Sequence, residues 1–188
     1  MPKKSKARLC ALGAAWVEYI HDELLHKFWP GAEHIGAKGV KDRALLESAV
    51  GRPSQTVFGQ DAYPTVTDKA AALFHSLVSN HPFHDGNKRT AVTALQHFLL
   101  ANGFFAGLSN DEAYEMAKRT ASYRERGLSH DQIMQEIREL LATRMISLDA
   151  VRELGNEGSE IFRELYSTSV EFRRKIRRSS MNRLIPSE

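Results

Sequence analysis

The sequence predicts a mostly helical domain interrupted by one short β-prone segment. Apolar residues recur at helical spacing along most of the chain. Glycines, prolines and N-capping side chains divide these stretches at short intervals. One dense polar stretch, NHPFHDGNKRT at residues 80–90, stands between two apolar helices. At 188 residues and 42% hydrophobic, the chain can build one core and carry an appendage.

The elements follow in order. Leu9, Leu12, Trp16, Tyr19, Ile20, Leu24 and Phe28 make an amphipathic stripe, so a first helix is expected over residues 8–28. GAEHIGAKGVKD is a glycine-punctuated loop. RALLESAV follows as a short helix with Asp42 as its N-cap, stopped by Gly51, Arg52 and Pro53. SQTVFGQDAYPT, residues 54–65, carries β-prone residues on both sides of Gly59 and reads as a small hairpin or an irregular flap. VTDKAAALFHSLVSN, residues 66–80, sets Ala70, Leu73, Phe74, Leu77 and Val78 on one face. TAVTALQHFLLANG is apolar nearly all round, as a helix at the domain centre would be, with Gly103 as a left-handed stop. Two further amphipathic helices start at Asn110 and His130, the second running on through Ile146 to Leu148. After a break at Gly155–Gly158, a last helix is expected over residues 159–178. The domain is assigned to residues 1–145, with residues 146–188 a helical extension ending in a basic tail.

Composition narrows the function. Cys10 is the single cysteine, which excludes an internal disulfide framework and argues against a structural zinc site. A reducing, cytoplasmic setting is the default. The formal charge is +3, but the excess sits at the ends: MPKKSKAR at the start, and Arg173, Arg174, Lys175, Arg177, Arg178 and Arg183 at the finish. Such ends are usually solvated tails; a nucleic-acid contact through the tail is the alternative. The basic start before a short apolar run resembles a signal peptide, yet Glu18 and the helical spacing favour a packed helix. No apolar run is long enough to span a membrane.

The polar stretch invites chemistry. Gly86, Asn87, Lys88 and Arg89 lead into a buried helix, whose start offers unpaired N–H groups and a partial positive charge. Gly86 removes a Cβ, so a ligand can approach the backbone. Lys88 adds charge and Arg89 a planar fork suited to phosphate. Asp85 stands where Mg²⁺ bridging phosphates would need a carboxylate. His81 can act as a general base. Pro82 stiffens the turn, and Phe83 can anchor the loop in the core. The plain alternative is a solvated loop whose histidines cap helix ends. No Walker-type loop and no HExxH occurs.

HPFHDGNKR resembles the signature of the Fic/Doc (Fido) family, His-x-Phe-x-Asp/Glu-Gly/Ala-Asn-Gly/Lys-Arg. The flanks IHDELL, KDRALLESAVGRPSQTVFGQDAYPT and DKAAALFHSLVSNHPFHDGNKRTAVTALQHFLLANGF extend the similarity over residues 17–122, with the death-on-curing (Doc) branch. The resemblance implies an all-α helical bundle with a short β-hairpin flap, placed here at residues 54–65. It implies His81 as the base that activates a target hydroxyl, Asp85 as the Mg²⁺ ligand, and Phe83, Gly86, Asn87, Lys88 and Arg89 at the nucleotide, with ATP and Mg²⁺ as cofactors. The flap would align the target by strand-like pairing.

Two departures matter. Adenylylating Fic enzymes read Gly-Asn-Gly-Arg-x-x-Arg, whereas here the third position is Lys88 and Val92 replaces the second arginine. Asn87-Lys88-Arg89 resembles the Doc toxins, which implies γ-phosphate transfer to a protein hydroxyl, elongation factor Tu by resemblance, and a separate antitoxin. Gly86 and Pro82 instead resemble the adenylylating signature, so AMP transfer remains the alternative, and a non-catalytic binding protein a third reading. The family's inhibitory helix has its nearest match at Ser167–Glu171, but Val92 leaves Glu171 no arginine partner. His21, Asp22, His75 and His97 are expected to be structural, His84 exposed and Tyr63 packed on the flap. Arg52 and Lys69 are expected in solvent, with phosphate or target contact as the alternative.

Overall fold

The computed structural model describes residues 9–28, 39–150 and 184–185 of the chain. It is an all-α bundle with short two-stranded antiparallel sheets at its edges. The expected last helix, the Ser167–Glu171 segment and the basic residues from Arg173 to Arg183 lie outside the described residues.

Helix α1 spans Ala14–Phe28 and starts later than its apolar stripe suggests. The Gly13 carbonyl accepts from the N–H groups of Trp16 and Val17, which opens the helix there. The two residues Leu9–Cys10 (β1) are extended and pair with Leu184–Ile185. Helix α2, Arg43–Gly51, is capped by Asp42, whose side chain accepts from the Leu45 N–H at 3.0 Å. Arg52–Ser54 form a single 3₁₀ turn, and Thr56–Val57 (β2) pair with Gln60–Asp61 (β3), so the flap is a hairpin.

Helix α3, Val66–Asn80, has the expected bounds, fixed at its start by a capping box between Thr65 and Asp68. Helix α4, Asn87–Ala101, begins three residues before Thr90, so Asn87, Lys88 and Arg89 form its first turn. These two helices build the centre. Ala70, Ala71, Ala72, Phe74 and Val78 of α3 and Ala91, Ala94, Leu95, Phe98 and Leu99 of α4 are fully buried. The alanines let the backbones approach closely while Phe74 and Phe98 fill the core. Helix α3 also packs on α2, on α5 (Asn110–Ala121) and on α6 (His130–Arg144), and α1 packs on α4.

Helices α5 and α6 start at Asn110 and His130 as expected, capped by Ser109 and Ser129, each in a capping box with a residue three positions on. One expectation shifts at the far end. The helix expected to run through Ile146 to Leu148 stops at Arg144. Met145–Ser147 form a strand that pairs with Phe104–Ala106, and Leu148 is buried beyond it. The cause is non-local: Phe104 and Phe105 supply an extended partner whose hydrogen bonds replace those of a further helical turn. Among the described residues no helix is long and apolar enough to cross a membrane.

Candidate active site

Helix α3 ends at His81, whose backbone lies in the left-handed region, φ 48° and ψ 55°. This conformation is uncommon for a residue with a Cβ, and surrounding contacts must hold it. They begin at the next residue. The Pro82 carbonyl accepts from the N–H groups of Lys41 at 2.7 Å and Asp42 at 3.1 Å. Phe83 bridges Val40 in antiparallel fashion, and the His84 N–H reaches the Gly39 carbonyl at 3.2 Å. The loop is thus pinned along one side by residues 39–42.

From inside, Asn87 closes the loop on itself. Its Oδ1 accepts from the Phe83 N–H at 3.0 Å and its Nδ2 donates to the Phe83 carbonyl at 2.8 Å. Phe83 is buried, its ring stacked on His21 with centroids 4.0 Å apart. Phe83 anchors the loop in the core, one of the two roles expected of it, and the Asn87 side chain is taken up by the loop's own closure. What Asn87 can offer a ligand is its backbone N–H.

The outer face carries the remaining expected residues. His81, His84, Asp85 and Arg89 are exposed, and Lys88 is partly so. Gly86 adopts φ +70° at the entrance to α4, a conformation glycine tolerates without strain. Its N–H donates to Asp85 Oδ1 at 2.6 Å, which orients the carboxylate and leaves its second oxygen toward solvent. Asn87 and Lys88 open α4, where N–H groups precede the first carbonyls of the helix. These N–H groups stand beside the cationic Lys88 and Arg89, as an anion site requires.

Electrostatics tune His81. Partial burial of the ring, then the positive charges of Lys88 and Lys41, hold its pKa below 6.5. The imidazole is therefore neutral near pH 7 and able to accept a proton. Lys41 was not among the residues expected at the site. It lies forty positions before His81, and the pairing of residues 39–42 with the loop is what brings it there.

The basic residues expected in solvent are placed differently. Lys69 is 2% exposed, and its ammonium donates to the Pro53 carbonyl at 2.8 Å and to Asp61 Oδ2 at 2.6 Å. Arg52 donates to the Tyr63 hydroxyl at 2.9 Å and lies 2.9 Å from His130 Nε2. Both side chains anchor the roots of the hairpin. His75 and His97 are packed inside, as expected, and burial pushes their pKa values down to about 3 and about 4.

A histidine, an exposed carboxylate and a cationic helix start thus follow one another along the loop between α3 and α4. Residues 11–99 match the Fic/DOC family. The chain is 47% identical over 89 residues to a protein named Toxin Doc from Mycolicibacterium smegmatis, a match covering 46% of this chain and 68% of that relative. No solved structure matches. The loop geometry and the extent of this relative that is matched agree: the chain belongs to the Fic/DOC family.

Proposed function

We propose that the protein is a Doc-like toxin that transfers the γ-phosphate of ATP to a hydroxyl of a protein target, which by resemblance is elongation factor Tu. The observation that carries this reading is the cation set at the start of α4. Lys88 and Arg89 stand in its first turn, while Val92, where adenylylating relatives carry a second arginine, is partly buried against the core. The named relative, Toxin Doc, points the same way.

Mg²⁺ and ATP fit the residues present. Among the described residues no three His, Cys, Asp or Glu side chains gather into a metal cage. A cation here would take one protein carboxylate, Asp85, and complete its shell with phosphate and water, the usual habit of Mg²⁺. Bound there, the ion would neutralise phosphate charge. The N–H groups of Asn87 and Lys88 would cradle phosphate oxygens, with Lys88 and Arg89 adding charge. His81 would take the proton of the target hydroxyl on an imidazole nitrogen as that oxygen bonds to the γ-phosphorus, whose bond to the β–γ bridging oxygen breaks so that ADP leaves. The exposed strands of the flap would hold the target segment by main-chain pairing. A separate antitoxin and a cytoplasmic site of action complete the proposal.

AMP transfer is the second reading, favoured by Pro82 and Gly86. ATP labelled at the α- or the γ-phosphate, incubated with cell lysate, separates the two. Label from γ alone on a translation factor is the expected result; label from α would overturn it in favour of adenylyl transfer. His81→Ala should lower transfer by about 10²–10⁴-fold. No transfer from either label, with His81→Ala behaving as wild type in cells, would sink both.

A further inference from the structure

His21 lies on α1, far from the signature in sequence, yet it touches the anion loop at three places. Its ring stacks on Phe83 with centroids 4.0 Å apart and planes 14° from parallel. Its Nδ1 lies 3.1 Å from Thr90 Oγ1, a hydrogen bond closed off from solvent. A Cβ at Gly86 would stand 3.4 Å from His21 Cε1 and 3.6 Å from Nδ1. The contacts therefore fall at the start of the loop, at its turn, and at the end of the first turn of α4. His21 is 1% exposed and Thr90 1%. The ring is a floor on which the loop rests, opposite the face that meets solvent.

A generic core histidine would pack on one neighbour. This one sets three separate positions that together fix where the first N–H groups of α4 point. Gly86 is required by its positive φ, and it lies over the imidazole at ordinary contact distance. We propose that His21 is the positioning residue of the phosphate site, setting the height and entry angle at which the turn at Gly86 leads into α4 and at which Asn87 and Lys88 present their N–H groups. As a statement about nucleotide, this rests on the transfer reading above. As a statement about the loop, it does not. Binding energy from a cradle of N–H groups depends steeply on their alignment, and a displacement near 1 Å can cost about 100-fold.

The test uses the full chain with His21→Ala, His21→Asn and Thr90→Val. Asparagine places a polar atom near that of Nδ1 and keeps the Thr90 bond, while valine removes only the hydroxyl. Backbone amide exchange at residues 86–90 should accelerate in His21→Ala and Thr90→Val, with α6 unchanged. Affinity for Mg²⁺-ATP should fall about ten-fold or more in His21→Ala and recover in part in His21→Asn. KM for ATP should rise more than kcat falls. Should His21→Ala not fold, Thr90→Val and His21→Asn carry the same readouts. Unchanged exchange at 86–90 in the folded variants, or ATP affinity within two-fold of wild type, overturns the proposal. If the wild type itself bound no nucleotide, the functional reading would fail, and the exchange measurement would still decide the role of His21.

Discussion

The ammonium of Lys69 meets Asp61 Oδ2 at 2.6 Å, and this pair ties the hairpin to the first turn of α3. The two partners are unequal. The Lys69 side chain is 2% exposed and that of Asp61 37%. Asp61→Ala therefore strands a buried cation with only the Pro53 carbonyl, and should cost roughly 3 kcal/mol. Lys69→Met keeps the volume and leaves a carboxylate that water can reach, so it should cost clearly less. Urea unfolding of both variants checks this; equal losses would refute it. Both variants should also modify a protein target more slowly than they lose ATP affinity, because the flap and not the phosphate site is loosened.

Asn87 is the loop's internal clasp. Asn87→Ala leaves the N–H and the carbonyl of buried Phe83 without partners. Each such group costs about 1–3 kcal/mol. Thermal melting should show a drop of several degrees, accompanied by weaker ATP binding. A melting curve unchanged from wild type would mean that the clasp contributes nothing.

Lys41 should contribute to the position of the acid limb of activity, after burial and Lys88. Its charge disfavours the imidazolium form of His81, as do burial and Lys88. Removing it in Lys41→Gln favours the proton, so the pKa of His81 rises toward its ordinary value. The fall in kcat/KM on acidification should then begin at higher pH, with rates above pH 8 little changed. A profile that does not move would exclude Lys41 from the electrostatics of the base.

Acid should unfold the protein through its buried histidines. Burial holds the pKa of His75 at about 3 and that of His97 at about 4 in the folded protein, both below the ordinary histidine value of about 6.5. The unfolded chain binds these protons first, so stability is whole above pH 6.5 and falls as pH drops toward 4. The slope approaches about 1.4 kcal/mol per pH unit for each histidine. His97 also accepts from Trp16 Nε1 at 3.2 Å, a bond that needs the neutral ring. Urea midpoints at pH 7, 6 and 5 should decline, and His75→Gln should make the decline shallower. A constant midpoint would contradict the burial assigned to both rings.

Much of the fold was legible because local rules and global packing agree. Helix α3 has the bounds that its apolar face predicts. The hairpin formed where Thr56 and Val57 precede Gly59. The errors cluster where a distant segment competes. Met145–Ser147 left the helical state for a strand beside Phe104–Ala106, and Leu9–Cys10 left α1 to pair with Leu184–Ile185. Within the site, the residue types were readable but their orientation was not. The aromatic ring of Phe83 marks it as the core anchor, but nothing in NHPFHDGNKRT tells that the Asn87 side chain turns inward while Asp85 and Arg89 turn outward.

By itself the sequence determined most of the described helices, the hairpin and the run of a histidine, a carboxylate and a cationic helix start, since each follows from spacing within one short segment. The tertiary structure alone decided which residues stand around that run. Lys41 came in by pairing of residues 39–42 with the loop, His21 by the packing of α1 on α4, and Lys69 left the solvent for the root of the flap. The physical reason is one of range: periodicity and capping act within a few residues, whereas charge placement and ring stacking depend on segments that only the folded core brings together.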